Sequence, residues 1–222
     1  MKQAPNIVLL SVHKDAMEAA VRAFESDWPE ARISNLMDDG LFAWVRSTGG
    51  VVPEMYGVFR TLARYMIDRG ADGILYTCSA FRECIDACIA EFDVPQLKPN
   101  DAMIEQALDA GSRIAVVATV GPTIPSISAE FEEMAAARGQ KIELVPYVVE
   151  GAFDALAGGD AARHDALVAA RAREIKGCDV IALAQFSIAG TAPLVAEATG
   201  RPVVTTPDSA VDKLMKLLKA EA

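Results

Sequence analysis

Slid along itself by 107 residues (70 to 177), the sequence matches without a gap: Gly70 meets Gly177, Asp72 meets Asp179, Ile74 meets Ile181, Pro95 meets Pro202 and Asp101 meets Asp208. The same shift pairs Ile7 with Ile114, Phe24 with Phe131 and Glu25 with Glu132. It also superposes each strong apolar run, and the amphipathic segment behind it, on a counterpart in the other half. An internal duplication of this kind demands one supersecondary pattern used twice. The pattern is strand then helix. In the first half, strands are expected at 6–12, 31–36, 72–77 and within VPQLKP, and helices over about 15–26, 53–69, 80–91 and 101–110. Gly70 should end the second helix, and Asn100 and Asp101 should cap the fourth. The stretch MDDGLFAWVRSTGG reads as a loop because turn signals flank its apolar patch. The second half repeats the order. Strands are expected at 113–119, KIELVP, 179–184 and 201–206, and helices over about 123–138, 151–176, from Ala189, and from Pro207 to the end. Such alternation requires parallel sheets with helices on their faces, a doubly wound α/β class. The halves divide as 1–98 plus 208–222 and 99–207.

Composition sets the functional bounds. With 222 residues and 52% hydrophobic content, the chain can bury one large or two small cores. The net charge of −10 opposes non-specific contact with nucleic acid or an anionic membrane. The N-terminal MKQAPNIVLLSVHKD lacks a signal-peptide pattern, and no uncharged apolar run reaches the roughly 18 residues needed to span a bilayer. The four cysteines, Cys78, Cys84, Cys88 and Cys178, form no CxxC pair and no secreted disulfide framework. A cytoplasmic, small-molecule protein is expected. Cys84 and Cys88 share a helix face, a spacing that suits a core pair and, less well, two metal ligands.

GILYTCSAF, residues 73–81, carries the chemistry. A strand ends at Thr77, so Cys78 sits where a helix N-terminus directs its free N–H groups, which favours the nucleophilic and proton-accepting thiolate. The alternative is a small buried hydrophobe closing a strand. The repeat places Gln185 of IALAQFSIAG opposite Cys78, Ala118 opposite Ser11 and Thr119 opposite Val12. Ligands of open α/β sheets bind beyond the carboxyl ends of strands, so two facing halves would enclose an active-site cleft between them.

TCSAF after a strand, ALAQFS at the equivalent place, ATVGPT at 118–123 and the closing TGRPVVTTPDSAV together resemble the aspartate/glutamate racemase superfamily. That group includes glutamate and hydantoin racemases, maleate isomerase and arylmalonate decarboxylase. The resemblance implies two pseudo-symmetric flavodoxin-like halves, a homodimer, no cofactor and a small carboxylate substrate. In the racemases each half contributes one cysteine, one removing the proton that the other replaces. Cys78 matches the first of these cysteines, while Gln185 stands at the second, and glutamine does not exchange a proton at neutral pH. Racemisation with another second acid, decarboxylation with one-faced protonation, and isomerisation through a covalent adduct all stay open. So does a carboxylate-binding protein without chemistry.

His13, just past the first strand, is the candidate second acid or base; the alternative is a structural hydrogen bond. His164 is expected to be a solvated surface residue, and Tyr147, Asp38 and Asp39 are weaker candidates. The resemblance nominates Ser79, Thr119 and Thr123 as substrate-binding donors. Ser11, Gln185 and Ser187 join them from equivalent strand ends, helix capping being the alternative for each hydroxyl. Phe186 is expected to make an apolar pocket wall. Asp208 is expected to cap the last helix.

Overall fold

The structure is a computed structural model that describes residues 4–220. It divides into two compact units, one holding the chain up to Pro99 together with the residues from Ala210 onward, the other Asn100–Ser209. In the first unit, β1 (Asn6–Ser11), β2 (Arg32–Met37), β3 (Gly73–Tyr76) and β4 (Gln96–Leu97) form a parallel sheet in the order β2-β1-β3-β4. In the second, β5 (Arg113–Ala118), β6 (Glu143–Val148), β7 (Val180–Leu183) and β8 (Val203–Thr205) form a second parallel sheet in the order β6-β5-β7-β8. The topology is thus duplicated, and the 107-residue shift carries β1 onto β5 and β3 onto β7 end for end.

The connections are duplicated too. In the first half they are α1 (Lys14–Asp27), α2 (Gly40–Thr48), α3 (Pro53–Asp68), α4 (Arg82–Glu91) and α5 (Asp101–Ala110). In the second they are α6 (Thr123–Ala137), α7 (Ala152–Ala157), α8 (Ala161–Ala172), α9 (Ala192–Thr199) and α10 (Thr206–Ala220). Short 3-10 turns, Ser79–Phe81 and Phe186–Thr191, precede α4 and α9. The helix after β4 belongs to the second unit, and most of the helix after β8 to the first.

Period-2 alternation explains why both faces of each sheet are covered. In β5, Ile114 and Val116 face a cluster with Met103, Ala107, Ile127 and Phe131, while Ala115 and Val117 face one with Val168, Ala172 and Val195. In the first unit, Val8, Leu10, Ile74 and Tyr76 pack on Phe59, Met66, Phe81 and Ile85. The opposite face closes so tightly at β3 that a Cβ on Gly73 would lie 3.1 Å from Ile7 and 3.3 Å from Leu214, so the residue there has to be glycine or displace its neighbours.

The identities of the repeat have physical reasons. Gly70 and Gly177 both take positive φ, 82° and 64°, where a chain turns out of a helical segment. Asp72 and Asp179 do the same work twice: Asp72 Oδ2 accepts the Asn6 N–H at 2.7 Å, and Asp179 Oδ2 accepts the N–H groups of Ser112 and Arg113 at 2.9 and 2.8 Å. Each carboxylate thereby secures the first residue of its central strand.

Three expectations are corrected. The segment read as a loop contains helix α2, because Leu41 and Val45 lie four apart and are both buried in the core. Strand β6 runs to Val148, past the end of KIELVP, because it stays paired with β5 in register as far as Ala118 opposite Val148. Asn100 caps α5 without its side chain, which donates instead to Glu130 at 2.9 Å; at α10 the hydroxyl of Thr205 accepts the Asp208 N–H at 3.2 Å and donates to its carboxylate at 2.6 Å. Cys84 and Cys88 are fully buried in the first core, and among the described residues no group of His, Cys, Asp and Glu could hold a metal ion. Among those residues no helix is long and apolar enough to cross a membrane.

Two stability tests follow. The two N–H donors hold the Asp179 carboxyl below its ordinary 3.8. Its folded pKa is therefore lower than its unfolded one, so its contribution is complete above the unfolded value and is lost as pH falls through the folded value. The urea midpoint should fall more steeply between pH 5 and pH 3 in the wild type than in Asp179→Asn. Tyr76 donates its hydroxyl to Gln96 Oε1 at 2.7 Å inside the core. Tyr76→Phe strands that buried oxygen and should cost about 1–3 kcal/mol in urea unfolding at pH 7.

Candidate functional site

With helices on both sheet faces, side chains that end a strand have the freest access to a ligand. At the carboxyl end of β3, Thr77 and Cys78 continue the extended chain, Cys78 at φ −134° and ψ 118°, before the Ser79–Phe81 turn. The Thr77 N–H donates to the Leu10 carbonyl at 3.1 Å, which extends the register so that Val12 lies alongside Cys78. Cys78 is the one cysteine of the four that is not buried. Its thiol packs against the apolar cluster of the first unit, and burial pushes it above the ordinary value near 9. The Ala80 N–H, which the sulfur accepts, offsets this only in part. The resting group is therefore a thiol. The expected thiolate is corrected, because desolvation against the apolar cluster of the first unit outweighs a single N–H donor.

Other candidates of the first unit surround this strand end in different ways. Ser11 is fully buried, and its Oγ accepts the Thr77 hydroxyl at 3.0 Å. Thr77 escaped notice in the sequence, although the parallel register that brings residues 11 and 77 level is the signal that reveals it. Ser79 is half-buried. His13 is exposed, one residue past Val12, with its ring edge-on to Phe42 at 4.2 Å between centroids. Asp38 accepts the Gly40 N–H at 3.0 Å and Asp39 takes the N-cap position of α2, so both serve a helix start. Lys98, just past β4, is a further cation missed by sequence reasoning; its ammonium lies 2.9 Å from Asp86.

In the second unit, Gln185 ends β7 as Cys78 ends β3. It is extended at φ −148° and ψ 142° and opens the Phe186–Thr191 turn. Its Oε1 accepts both the N–H and the hydroxyl of Thr119, at 2.5 and 3.0 Å. Thr119 is buried, whereas Thr123, Gln185 and Ser187 are half-buried. Phe186 is buried at 5% exposure. Tyr147 lies on β6 beneath the Arg171 guanidinium, 5.1 Å from the ring centre. His164, expected in solvent, is 2% exposed: it faces inward one helical turn before the buried Val168, and its Nδ1 lies 2.9 Å from Asp165. The structure thus groups Cys78, Ser79, Ser11 and His13 around the strand ends of the first unit. It groups Gln185, Thr119, Thr123 and Ser187 around those of the second.

The family profile described as Asp/Glu/Hydantoin racemase matches residues 14–214. Similar folds occur in aspartate racemase of Picrophilus torridus (TM-score 0.70, 12% identity, covering 97% of this chain and 95% of that one). They occur also in allantoin racemase of Klebsiella pneumoniae (0.68, 17%, 98% and 89%) and in unliganded arylmalonate decarboxylase (0.61, 15%, 99% and 94%). At these identities the likeness is one of fold. No curated protein matches the sequence.

A raised thiol pKa fixes the labelling behaviour of Cys78. Iodoacetamide should modify it first among the four cysteines, more slowly at pH 7 than a free thiol with its pKa near 8.5, and with a rate still climbing about tenfold per pH unit towards pH 9. A rate already flat from pH 6 upward would show a stabilised thiolate instead.

Proposed function

This chain belongs to the Asp/Glu/Hydantoin racemase family, and on that premise we propose that it is a cofactor-independent racemase or isomerase acting on a small carboxylate through Cys78. The observation that carries this is the partly exposed thiol at the carboxyl end of β3, within the residues that the family profile matches. In the forward step the Cys78 thiolate takes a proton from the carbon beside the carboxylate. The electron pair left behind spreads into that carboxylate, and racemisation is completed when a second acid, for which His13 past the first strand is the candidate, gives a proton to the opposite face while the thiol passes the proton it took to solvent. Ser79, half-buried in the same turn, supplies a hydroxyl to the oxygens as their charge grows.

The protonation state of Cys78 bears on the energetics. Ionising a thiol with the ordinary value of 9.0 at pH 7 costs about 2.7 kcal/mol, and burial adds to this. Enzymes lower barriers by about 8–23 kcal/mol, so the cost is bearable, but the neutral thiol is first of all a proton donor. A second reading draws on Gln185, which occupies the repeat position of Cys78 and carries no exchangeable acid. With one thiol, decarboxylation followed by protonation on one face, or cis–trans isomerisation through a thioether adduct, suits the residues present.

Incubation in deuterium oxide with α-amino, α-hydroxy and α-aryl carboxylates, disubstituted malonates and maleate tests these chemistries together. At least one should exchange a C–H, isomerise or lose carbon dioxide, and Cys78→Ala should slow that reaction by about 10²–10⁴-fold. Turnover unchanged in Cys78→Ala removes the thiol from the mechanism. No turnover of any compound leaves a binding protein.

A further inference from the structure

The orientation of Gln185 is decided by elementary chemistry. One end of its carboxamide lies 2.5 Å from the Thr119 backbone nitrogen and 3.0 Å from the Thr119 hydroxyl. A backbone N–H can only donate, so the atom facing it has to be the amide oxygen, and the usual ambiguity between oxygen and nitrogen is removed. The Nε2 group is then directed away from Thr119 with both its protons. Among the described residues it has no hydrogen-bond partner, and the side chain is half-buried rather than spread over the surface. The oxygen is already used twice, so what Gln185 offers a ligand is donor capacity alone.

Two hydroxyls, which can both donate and accept, accompany it. Ser187 and Thr123 stand half-buried at the same end of the second sheet, one within the turn that Gln185 opens and the other at the start of α6. Neither is a titrating acid. A group with donors and no spare acceptor recognises an oxygen that carries lone pairs and negative charge.

We propose that Gln185 is a substrate-binding residue whose fixed amide N–H group donates to a carboxylate oxygen, and that Thr119 is a positioning residue that holds it in that orientation. This assignment rests on the carboxylate chemistry proposed above. It gives Thr119 a role different from direct substrate contact, since both of its donors are committed to Gln185. It also gives the strand end opposite Cys78 in the repeat a binding task where a thiol would have had a proton-transfer task.

Gln185→Glu separates these elements. One carboxylate oxygen of the replacement still accepts from Thr119, so the local fold is kept, while the other replaces the N–H donor with a negatively charged acceptor. Malonate is the probe, titrated into full-length ¹⁵N-labelled protein at pH 7.5. The Gln185 side-chain amide pair is identified by its disappearance from the Gln185→Glu spectrum. The pair should shift saturably with malonate, and malonate should bind Gln185→Glu at least tenfold more weakly with an unchanged melting temperature. Thr119→Val should alter the shift of the free amide pair and weaken binding several-fold, and Thr119→Ser should restore both, whereas a merely structural Thr119 would change the melting temperature alone. Malonate binding with the Gln185 pair unmoved, equal affinity in Gln185→Glu, or no malonate binding by the wild type would each overturn the assignment. If the pair stays still while deuterium exchange depends on Cys78, the catalytic proposal survives alone. If the pair responds while no carboxylate reacts, only the binding role survives.

Discussion

A parallel strand covered by helices on both faces has little room for chemistry except where it ends. That constraint governs this protein. Residues 114–117 of β5 alternate between two buried clusters, and β1 and β3 are buried along their whole length, so their side chains are committed to packing. The first positions released from this obligation are Cys78 after β3 and Gln185 after β7, each in an extended conformation before a tight turn. Duplication makes the two positions equivalent and lets them be compared as one would compare a pair of homologous residues.

The comparison exposes an asymmetry. Cys78 sits against an apolar cluster with a single backbone N–H to favour its anion, so burial keeps its proton on. Gln185 sits among donors that belong to Thr119, so its oxygen is fixed and its nitrogen is released. One half therefore offers an acid and the other a hydrogen-bond donor. A two-thiol exchange has no chemical basis in these residues, whereas chemistry at one thiol does. The asymmetry also accounts for the apparent excess of hydroxyls at the strand ends, because Thr77 and Thr119 orient Ser11 and Gln185 and are not themselves free donors.

Much of this was legible in the sequence. Strong apolar runs located β1, β3, β5 and β7, and the repeat matched β1 with β5 and β3 with β7, because local pattern and topology agree there. Identities such as Asp72 with Asp179 turned out to be strand anchors. Elsewhere local signals competed. Asp38, Asp39 and the Gly49–Gly50 pair mark turns, yet they bound a nine-residue helix whose apolar spacing was the better guide. His164 is flanked by Arg163 and Asp165, and only its place one turn before Val168 signals burial. The Cys78 pKa and the Gln185 orientation were out of reach for a different reason. Both depend on contacts across the fold, the Thr119–Gln185 bonds spanning 66 residues, and no local pattern encodes them.

The most direct test of a single-thiol site is the fate of a stereocentre. A single enantiomer of a carboxylate that the wild type exchanges is incubated in deuterium oxide, and deuterium uptake is followed alongside enantiomeric excess. Proton abstraction by Cys78 with delivery by a second, non-thiol acid predicts that deuterium uptake and loss of optical purity proceed together in the wild type, and that both stop in Cys78→Ala. Deuterium uptake and racemisation that continue in Cys78→Ala would remove the thiol from the reaction and contradict this account.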